Sequence, residues 1–287
     1  MDVNTLQAFA AVVETQSFSR AAERIHITQP AMSKRIAALE NHLGTALFHR
    51  GGRRIQLTEA GEAFLPSAKR IIDELHHSRE LLSNLDGTVG GRLRIGTSHH
   101  IGLHRLPPVL RSFSERYPAV ELDIHFMDSE EACAGVAEGE LELAVATLPE
   151  SPFRQLVTHH IWHDPLDFVV GPTHPLAAST HNDLADLAAH RAIMPSRGTV
   201  TREVLDKALL PHNLRIDVNM ETNYLETIKM MVSVGLGWSL LPRSMCEGLH
   251  ALPIEGLSLE RKLGIAWREN RTLSNAAQRF CDCCVEG

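Results

Sequence analysis

The segment ITQPAMSKRIAALE, residues 27–40, places polar and basic side chains together on one side of a predicted helix. Its apolar residues recur at helical spacing and predict the buried side. Thr28 is suited to cap this helix, and Pro30 to its first turn, where a missing N–H costs no hydrogen bond. The residues left facing outward are Gln29, Ser33, Lys34 and Arg35. Glutamine can form paired hydrogen bonds with a DNA base edge, and lysine and arginine can reach guanine or phosphate.

Three arginines follow this helix in the segment LFHRGGRRIQL, residues 47–57, which predicts two short strands around a Gly-Gly turn. They are Arg50, Arg53 and Arg54, and in such a wing they would contact phosphates or a narrow minor groove. Residues 16–56 hold seven Lys and Arg against two Glu, although the whole chain has a net charge of −7. Short helices followed by a basic wing predict a winged helix-turn-helix. The alternative is a helical hairpin that packs against a protein partner, and the basic wing disfavours it.

Residues 59–86 predict a long helix with apolar residues at heptad spacing. The seam positions are Phe64, Ile71, Leu75, Leu82 and Leu85. Two chains could share this seam, and the alternative is a single amphipathic helix that lies on its own domain. The glycine-rich stretch GTVGG, residues 87–91, then predicts a flexible joint.

After residue 91, predicted strands alternate with predicted helices, which is typical of a parallel α/β sheet. The elements form two series, so we expect two lobes with a cleft between them. From residue 92 onward there are 18 basic and 25 acidic residues. The sequence thus predicts an acidic α/β body that follows a basic DNA-binding head.

Small polar side chains stand at the ends of several predicted strands, where open α/β sheets bind their ligands. The candidate ligand-binding residues are Ser98, His99, Thr147, Ser196, Arg197, Thr199 and Asn223. Helices predicted after Ser98 and near Thr201 would offer unpaired N–H groups to an anion. Arg197 is the full cation of these loops, and its planar guanidinium suits two oxygens. We expect a small, oxygen-rich anion; the alternative is that the hydroxyls cap helices and Arg197 pairs with a surface carboxylate.

Several other classes of function are disfavoured by composition. The five cysteines are an odd number with three crowded near the end, which favours reduced thiols in the cytoplasm over disulfides. No apolar run approaches the roughly 18–20 residues of a membrane helix, and the first residues lack the basic start of a signal peptide. The 17 histidines show no structural-zinc spacing, so no metal site is expected. No nucleotide-binding or hydrolase motif is found, so no catalytic residues are expected.

The stretch SFSRAAERIHITQPAMSKRIAALENHLGTALFHRGGRRIQLTEAG resembles the N-terminal domain of LysR-type transcriptional regulators. The shared features are the paired alanines, Q-P-A-x-S, I-x-x-L-E, L-G-x-x-L-F-x-R and L-T-x-A-G. The match is dense over about sixty residues, and beyond residue 90 it depends on layout. The resemblance implies a multi-domain protein: an all-α winged helix-turn-helix with a long linker helix, followed by a two-lobed α/β domain like a periplasmic binding protein.

This resemblance sets the expected domains. They are a DNA-binding domain 1–58, a dimerisation helix 59–86, a hinge 87–91 and an effector-binding domain 92–287, with lobe I about 92–161 and 266–287 and lobe II about 162–265. It implies a cytoplasmic, non-enzymatic regulator without a cofactor. Its partners would be double-stranded DNA, a small anionic effector, a second copy of the chain in a homodimer or homotetramer, and RNA polymerase as a possible contact. The alternatives are a redox- or metal-responsive regulator of this fold, or an enzyme with a DNA-binding head.

Overall fold

The structure, a computed structural model, describes residues 2–49, 55–84, 87, 89–149, 155–179 and 182–286. The chain divides into two compact units, of which the first ends at Gly87 and the second contains most of the later residues. No helix in these described ranges is long and apolar enough to cross a membrane.

Three short helices form the body of the first unit: α1 (Val3–Thr15), α2 (Phe18–Arg24) and α3 (Gln29–Leu43). Each follows a residue whose side chain accepts a hydrogen bond from the first turn, namely Asp2, Ser17 and Thr28. Such caps satisfy N–H groups that have no partner within the helix. Gly44 ends α3 in the left-handed conformation with a φ of 72°, which glycine adopts without strain. The caps end one helix and begin the next, so α3 is a separate helix that packs against α1 and α2.

Aromatic packing holds the first unit together. The ring of Phe9 on α1 lies 5.5 Å from the rings of Phe48 and Phe64. Phe48 forms an antiparallel bridge with Leu57, and the His49 N–H donates to the Gln56 carbonyl at 2.9 Å. The base of the predicted wing is therefore paired. Its tip, including Arg50, Arg53 and Arg54, lies outside the described residues.

A long helix, α4 (Glu59–Asn84), completes the first unit. Thr58 precedes it, and the Thr58 hydroxyl accepts a hydrogen bond from the Gly61 N–H at 3.1 Å. The helix is continuous through Pro66, which the sequence predicts to kink it or weaken one turn. Its first half is amphipathic and packs on α1, so burial rather than backbone bonding alone holds the segment around the proline.

The second unit contains nine strands among the described residues. They are β1 (Gly91–Thr97), β2 (Val120–Phe126), β3 (Leu143–Thr147), β4 (Leu156–Val170), β5 (Arg191–Met194), β6 (Asp217–Glu221), β7 (Ser239–Pro242), β8 (His250–Leu252) and β9 (Leu259–Arg268). Seven of them form one sheet in the order β2-β1-β3-β9-β4-β7, with β8 paired to β4, and β5 pairs with β6. The prediction of parallel strands is confirmed for β1 with β2 and β3 and for β5 with β6. It is wrong for β9 and β4, which run antiparallel to their neighbours, so the sheet is mixed. The chain crosses between the lobes on these strands and therefore returns in the opposite direction.

Among the described residues, seven α-helices cover the strands of the second unit. They are α5 (His99–His104), α6 (Leu106–Arg116), α7 (Ser129–Glu138), α8 (Leu184–Ala188), α9 (Val200–Leu209), α10 (Leu225–Ser233) and α11 (Asn275–Glu286). Lobe I contains β1–β3 with α5–α7 and α11, and lobe II contains β5–β8 with α8–α10. Phe113 and Phe280 are fully buried in the core of lobe I, and Trp238 and Leu205 in that of lobe II.

The two lobes share β4 and β9, which pair along most of their length. The register of this pair shifts between His160 and Trp162, and such a bulge bends the strand. Residues 161 and 162, the predicted limit between the lobes, lie inside β4, and that limit stays a prediction. The lobes are therefore joined by continuous strands rather than by loops.

Candidate functional site

The N-terminal half of α3 presents the side chains that the sequence assigns to DNA. Thr28, Gln29, Pro30 and Lys34 are exposed, whereas Ser33 and Arg35 are half-buried. The Gln29 amide donates to the Ser33 hydroxyl at 3.3 Å, which orients both groups. Met32, Ile36 and Leu39 are at most 3% exposed and form the opposite side of the helix. The structure thus brings these polar residues together on one surface, as the spacing predicts.

A buried carboxylate connects α3 to the wing. Glu40 is 8% exposed, and its Oε1 accepts hydrogen bonds from the N–H groups of Leu47 at 2.8 Å and Phe48 at 3.3 Å. Hydrogen bonds to an ionised acceptor are stronger than neutral ones. Glu40 therefore fixes where the chain enters the wing relative to α3, a role that the sequence analysis did not assign to it.

The seam residues of α4 do not share one environment. Phe64 packs against Phe9 in the core of its own unit, which agrees with the single-helix alternative at this end of the helix. Ile71 is 42% exposed and Leu75 is half-buried. The side chain of Leu82 and the whole of Leu85 lie outside the described residues. The shared seam stays a prediction for the part of α4 after Phe64.

A small cavity lies between the two lobes of the second unit, with a volume of about 50 Å³. On this measure one water molecule needs about 10–15 Å³, so the cavity has room for a few waters or one small oxyanion. Five predicted residues line it: Ser98, His99, Thr147, Thr199 and Asn223. Six polar residues that the sequence analysis did not assign also line it: His100, Asp128, Ser129, Glu130, Thr201 and Arg261.

Two of the predicted residues do not line this cavity. Arg197 is exposed, because its loop turns outward before α9. Ser196 contributes through its backbone, whose N–H donates to the Asn223 side-chain oxygen at 2.9 Å. Arg261, which is only 6% exposed, takes the place expected for Arg197 as the cation of the cleft.

Two carboxylates of lobe I reach across the cleft to lobe II. Glu130 Oε1 accepts a hydrogen bond from the Val200 N–H at 2.9 Å. Val200 is the first residue of α9, so the carboxylate lies at a helix N-terminus, where the backbone dipole favours negative charge. Asp128 accepts a hydrogen bond from the Asn223 amide at 2.5 Å. The α9 N-terminus and the Asn223 amide of lobe II are thus paired with carboxylates of lobe I.

Arg261 belongs to a buried ion pair at the centre of the cleft. Its guanidinium donates to Asp164 Oδ2 through Nε at 3.1 Å and through Nη2 at 2.5 Å. Nη1 donates to the Thr201 hydroxyl on α9 at 2.7 Å. Asp164 is 1% exposed, and the guanidinium of Arg105 also approaches it at 3.6 Å. Arg261 therefore joins β9 and β4 to the first turn of α9.

Two adjacent histidines occupy different surroundings at the start of α5. The His99 ring lies 5.3 Å from the ring of Phe126 and 4.9 Å from that of Tyr224, at the mouth of the cavity. His100 is 4% exposed, and neither ring nitrogen has a hydrogen-bond partner among the described residues. Burial, and to a lesser degree the charge of Arg261, lower the pKa of His100 to about 4, so its imidazole is neutral at pH 7.

The cysteines lie in surroundings that keep their thiols protonated. Burial raises the pKa of Cys133 and Cys246 to about 11 and that of Cys281 to about 12. Burial also raises the pKa of Cys283 and Cys284. Because the thiolate is the reactive form, these surroundings disfavour the redox-responsive alternative.

A second cavity, of about 540 Å³, shares Val200 and Arg261 with the first. Its lining also includes Leu148, Pro149, Thr158, His160, Glu260 and Lys262. The predicted ligand-binding residues do not line it, and five of the seven line the smaller cavity.

Family models match both parts of the chain. The model described as "LysR substrate binding domain" matches residues 86–287. The model described as "Bacterial regulatory helix-turn-helix protein, lysR family" matches residues 3–62. Together they cover both the helical unit and the two-lobed unit.

Individual proteins and structures agree with this match. The chain is 62% identical over 108 residues to an uncharacterised HTH-type transcriptional regulator of Azotobacter vinelandii, over 38% of this chain and 75% of that protein. It is 30% identical over 289 residues to a probable RuBisCO transcriptional regulator of Synechocystis sp., over 97% of this chain and 84% of that protein. The structure of full-length CbnR complexed with its target DNA superposes with a TM-score of 0.72 at 22% identity, over 100% of this chain and 99% of that chain. At that identity the likeness concerns the fold.

Proposed function

Since the chain belongs to the LysR family of DNA-binding transcriptional regulators, we propose that a small anion is its effector and binds in the cavity between the lobes. The carboxylate of Glu130 at the N-terminus of α9 is the observation that carries this proposal. A protein carboxylate at this position marks a place where backbone N–H groups and the helix dipole favour an anion.

The other groups around the cavity suit the same class of ligand. Thr147 lines the cavity, the Ser98 and Thr199 hydroxyls cap α5 and α9 at its edge, and the Arg261 guanidinium lies in its wall, paired with Asp164. The cavity volume of about 50 Å³ favours a carboxylate or inorganic oxyanion over a large apolar molecule.

Effector binding on this proposal is an exchange of anions. The effector replaces Glu130 at the Val200 N–H and Asp128 at the Asn223 amide, two contacts that join the lobes. Their loss releases lobe I from lobe II. The effector shifts the arrangement of the lobes only to the extent that it binds one arrangement more tightly than the other.

The DNA side of the proposal concerns the first unit. Two chains pair through α4 after Phe64 and place two copies of α3 in successive major grooves of an inverted repeat. Gln29, Ser33, Lys34 and Arg35 contact base edges, and Arg50, Arg53 and Arg54 contact the phosphates beside them. Pairing of the second units would complete a tetramer. A regulator of this kind acts on DNA in the cytoplasm and has no catalytic step.

A thermal-shift panel tests the effector class. The full-length chain is heated with sulfate, phosphate and small mono- and dicarboxylates, and with the uncharged amide of each carboxylate. An anion present at about 100 times its dissociation constant adds about 2.7 kcal/mol of stability, which is about 5–10 °C for a domain of this size. Amides should give no shift. If apolar compounds stabilise the chain and no anion does, the proposal is wrong.

A further inference from the structure

Three metal-binding side chains meet beside the ligand cavity: His100, His104 and Glu226. Their potential ligand atoms all lie within 4.8 Å of one another. We propose that these residues bind one divalent transition-metal ion of the zinc type, in a site separate from the anion-binding groups of α9 and Asn223. This inference does not depend on the proposed anionic effector.

The two histidines are arranged for chelation. They stand four residues apart on α5, which places them on the same side of the helix. Their ring centroids are 4.9 Å apart. Two histidines at this spacing on one helix are a common way to hold zinc, because the helix fixes both rings before the ion arrives.

His100 supplies the second and independent observation. It is 4% exposed, and neither of its ring nitrogens has a hydrogen-bond partner among the described residues. A buried polar group without a partner is costly and calls for an explanation such as an ion. A metal ion would satisfy one of the two nitrogens.

Glu226 supplies the third ligand from the other lobe. It lies in the first turn of α10, and its Oε1 is 3.1 Å from His104 Nε2. Two imidazoles and one carboxylate form a donor set that suits zinc, with water in the remaining position. Of the charged groups that act on His100, Arg261 opposes a cation and Asp164 favours one. Because these two form an ion pair, their effects at the site largely offset each other.

A metal ion held by these residues would join the lobes. His100 and His104 belong to lobe I, and Glu226 belongs to lobe II. The ion therefore favours the arrangement in which α5 and α10 approach each other. By linkage, it would resist any effector that separates the lobes.

Calorimetric titration of the full-length, chelator-treated chain with ZnCl₂ tests the site. Wild type should bind one tight ion per chain. His104→Gln and Glu226→Gln change partly exposed residues, so both variants should fold. Each should lower the zinc affinity by at least about 100-fold, since changes to residues that only support metal ligands already lower metal affinity by about 10–100-fold. The matched control is His163→Gln. His163 also pairs with a glutamate, Glu260, at 3.4 Å, but lies outside the proposed site, so this variant should bind zinc as wild type does.

Cobalt gives a second readout on the same variants, because Co²⁺ bound by nitrogen and oxygen ligands absorbs visible light. The absorption should develop with one equivalent in wild type and His163→Gln, and be lost in His104→Gln and Glu226→Gln. The proposal is overturned if wild type binds no tight ion, or if its tight ion survives both ligand changes.

Discussion

The buried pair of Arg261 and Asp164 gives the sharpest stability prediction. Arg261→Met removes two hydrogen bonds to Asp164 and one to Thr201 while keeping most of the side-chain volume. Asp164, which is 1% exposed, is left with Arg105 at 3.6 Å as its cationic partner among the described ion pairs. Removing one member of a buried ion pair costs about 3–5 kcal/mol. Because Arg105 compensates in part, we expect the free energy of unfolding to fall by about 3 kcal/mol.

Thermal unfolding of the full-length chain measures this loss. For a domain of this size, about 3 kcal/mol lowers Tm by about 6–12 °C. The control is Arg243→Met, which breaks a bidentate pair with Asp167 on the same strand β4, but at an arginine that is 66% exposed. Exposed pairs contribute about 0–1 kcal/mol, so Arg243→Met should shift Tm by less than about 4 °C. Equal shifts for the two variants would refute the assignment of Arg261 as a buried structural cation.

Three further predictions concern DNA, assembly and thiols. Gln29→Ala should weaken specific binding by about 1–3 kcal/mol and relax base preference, whereas binding to random DNA should not change; fluorescence anisotropy on both DNAs measures this. Leu75→Asp should place an unpaired charge in the α4 seam and reduce the mass in solution measured by light scattering, and an unchanged mass would count against the seam. At pH 8, Cys281 should react with iodoacetamide about 30–60 times more slowly in the native chain than in urea, because burial raises its pKa to about 12 and the higher nucleophilicity of the thiolate offsets only part of the loss. Mass spectrometry of labelled peptides measures both rates, and equal rates would contradict this prediction.

The helical unit was predictable because its signals are local. Thr28 and Pro30 lie at the start of α3 and Gly44 lies just after its end. These residues and the apolar spacing between them predict the helix from its own sequence alone. The heptad in α4 is local too, but it does not show whether a partner chain or the core of the same chain packs against these apolar residues. Phe64 fits the heptad and yet packs against Phe9 of the same chain, in the core that α1–α3 form.

The ligand cleft was predictable only in part, because some of its residues come together from distant parts of the sequence. Hydroxyl groups at strand ends can be recognised in the sequence, and five of the seven predicted residues line the cavity. Glu130 could not be assigned, because it reaches α9 from a helix 70 positions earlier. Arg261 stands between Glu260 and Lys262, a charged run typical of an exposed strand end, and only the pairing of β9 with β4 shows it to be buried. The proposed metal site likewise depends on the approach of Glu226 from the other lobe.

The replacement of Glu130 by the effector at the Val200 N–H is tested most directly by measuring how tightly Glu130→Gln binds the anion selected by the thermal-shift panel. Calorimetric titration compares the full-length wild type with this variant and with Glu131→Gln, which removes the same charge at the exposed neighbouring position. A glutamine is a weaker competitor for the Val200 N–H by about 1–1.5 kcal/mol, the difference between a charged and a neutral acceptor. We therefore predict that Glu130→Gln binds the anion about 5–10 times more tightly than wild type and that Glu131→Gln binds it as wild type does. Unchanged or weaker binding by Glu130→Gln would contradict the account.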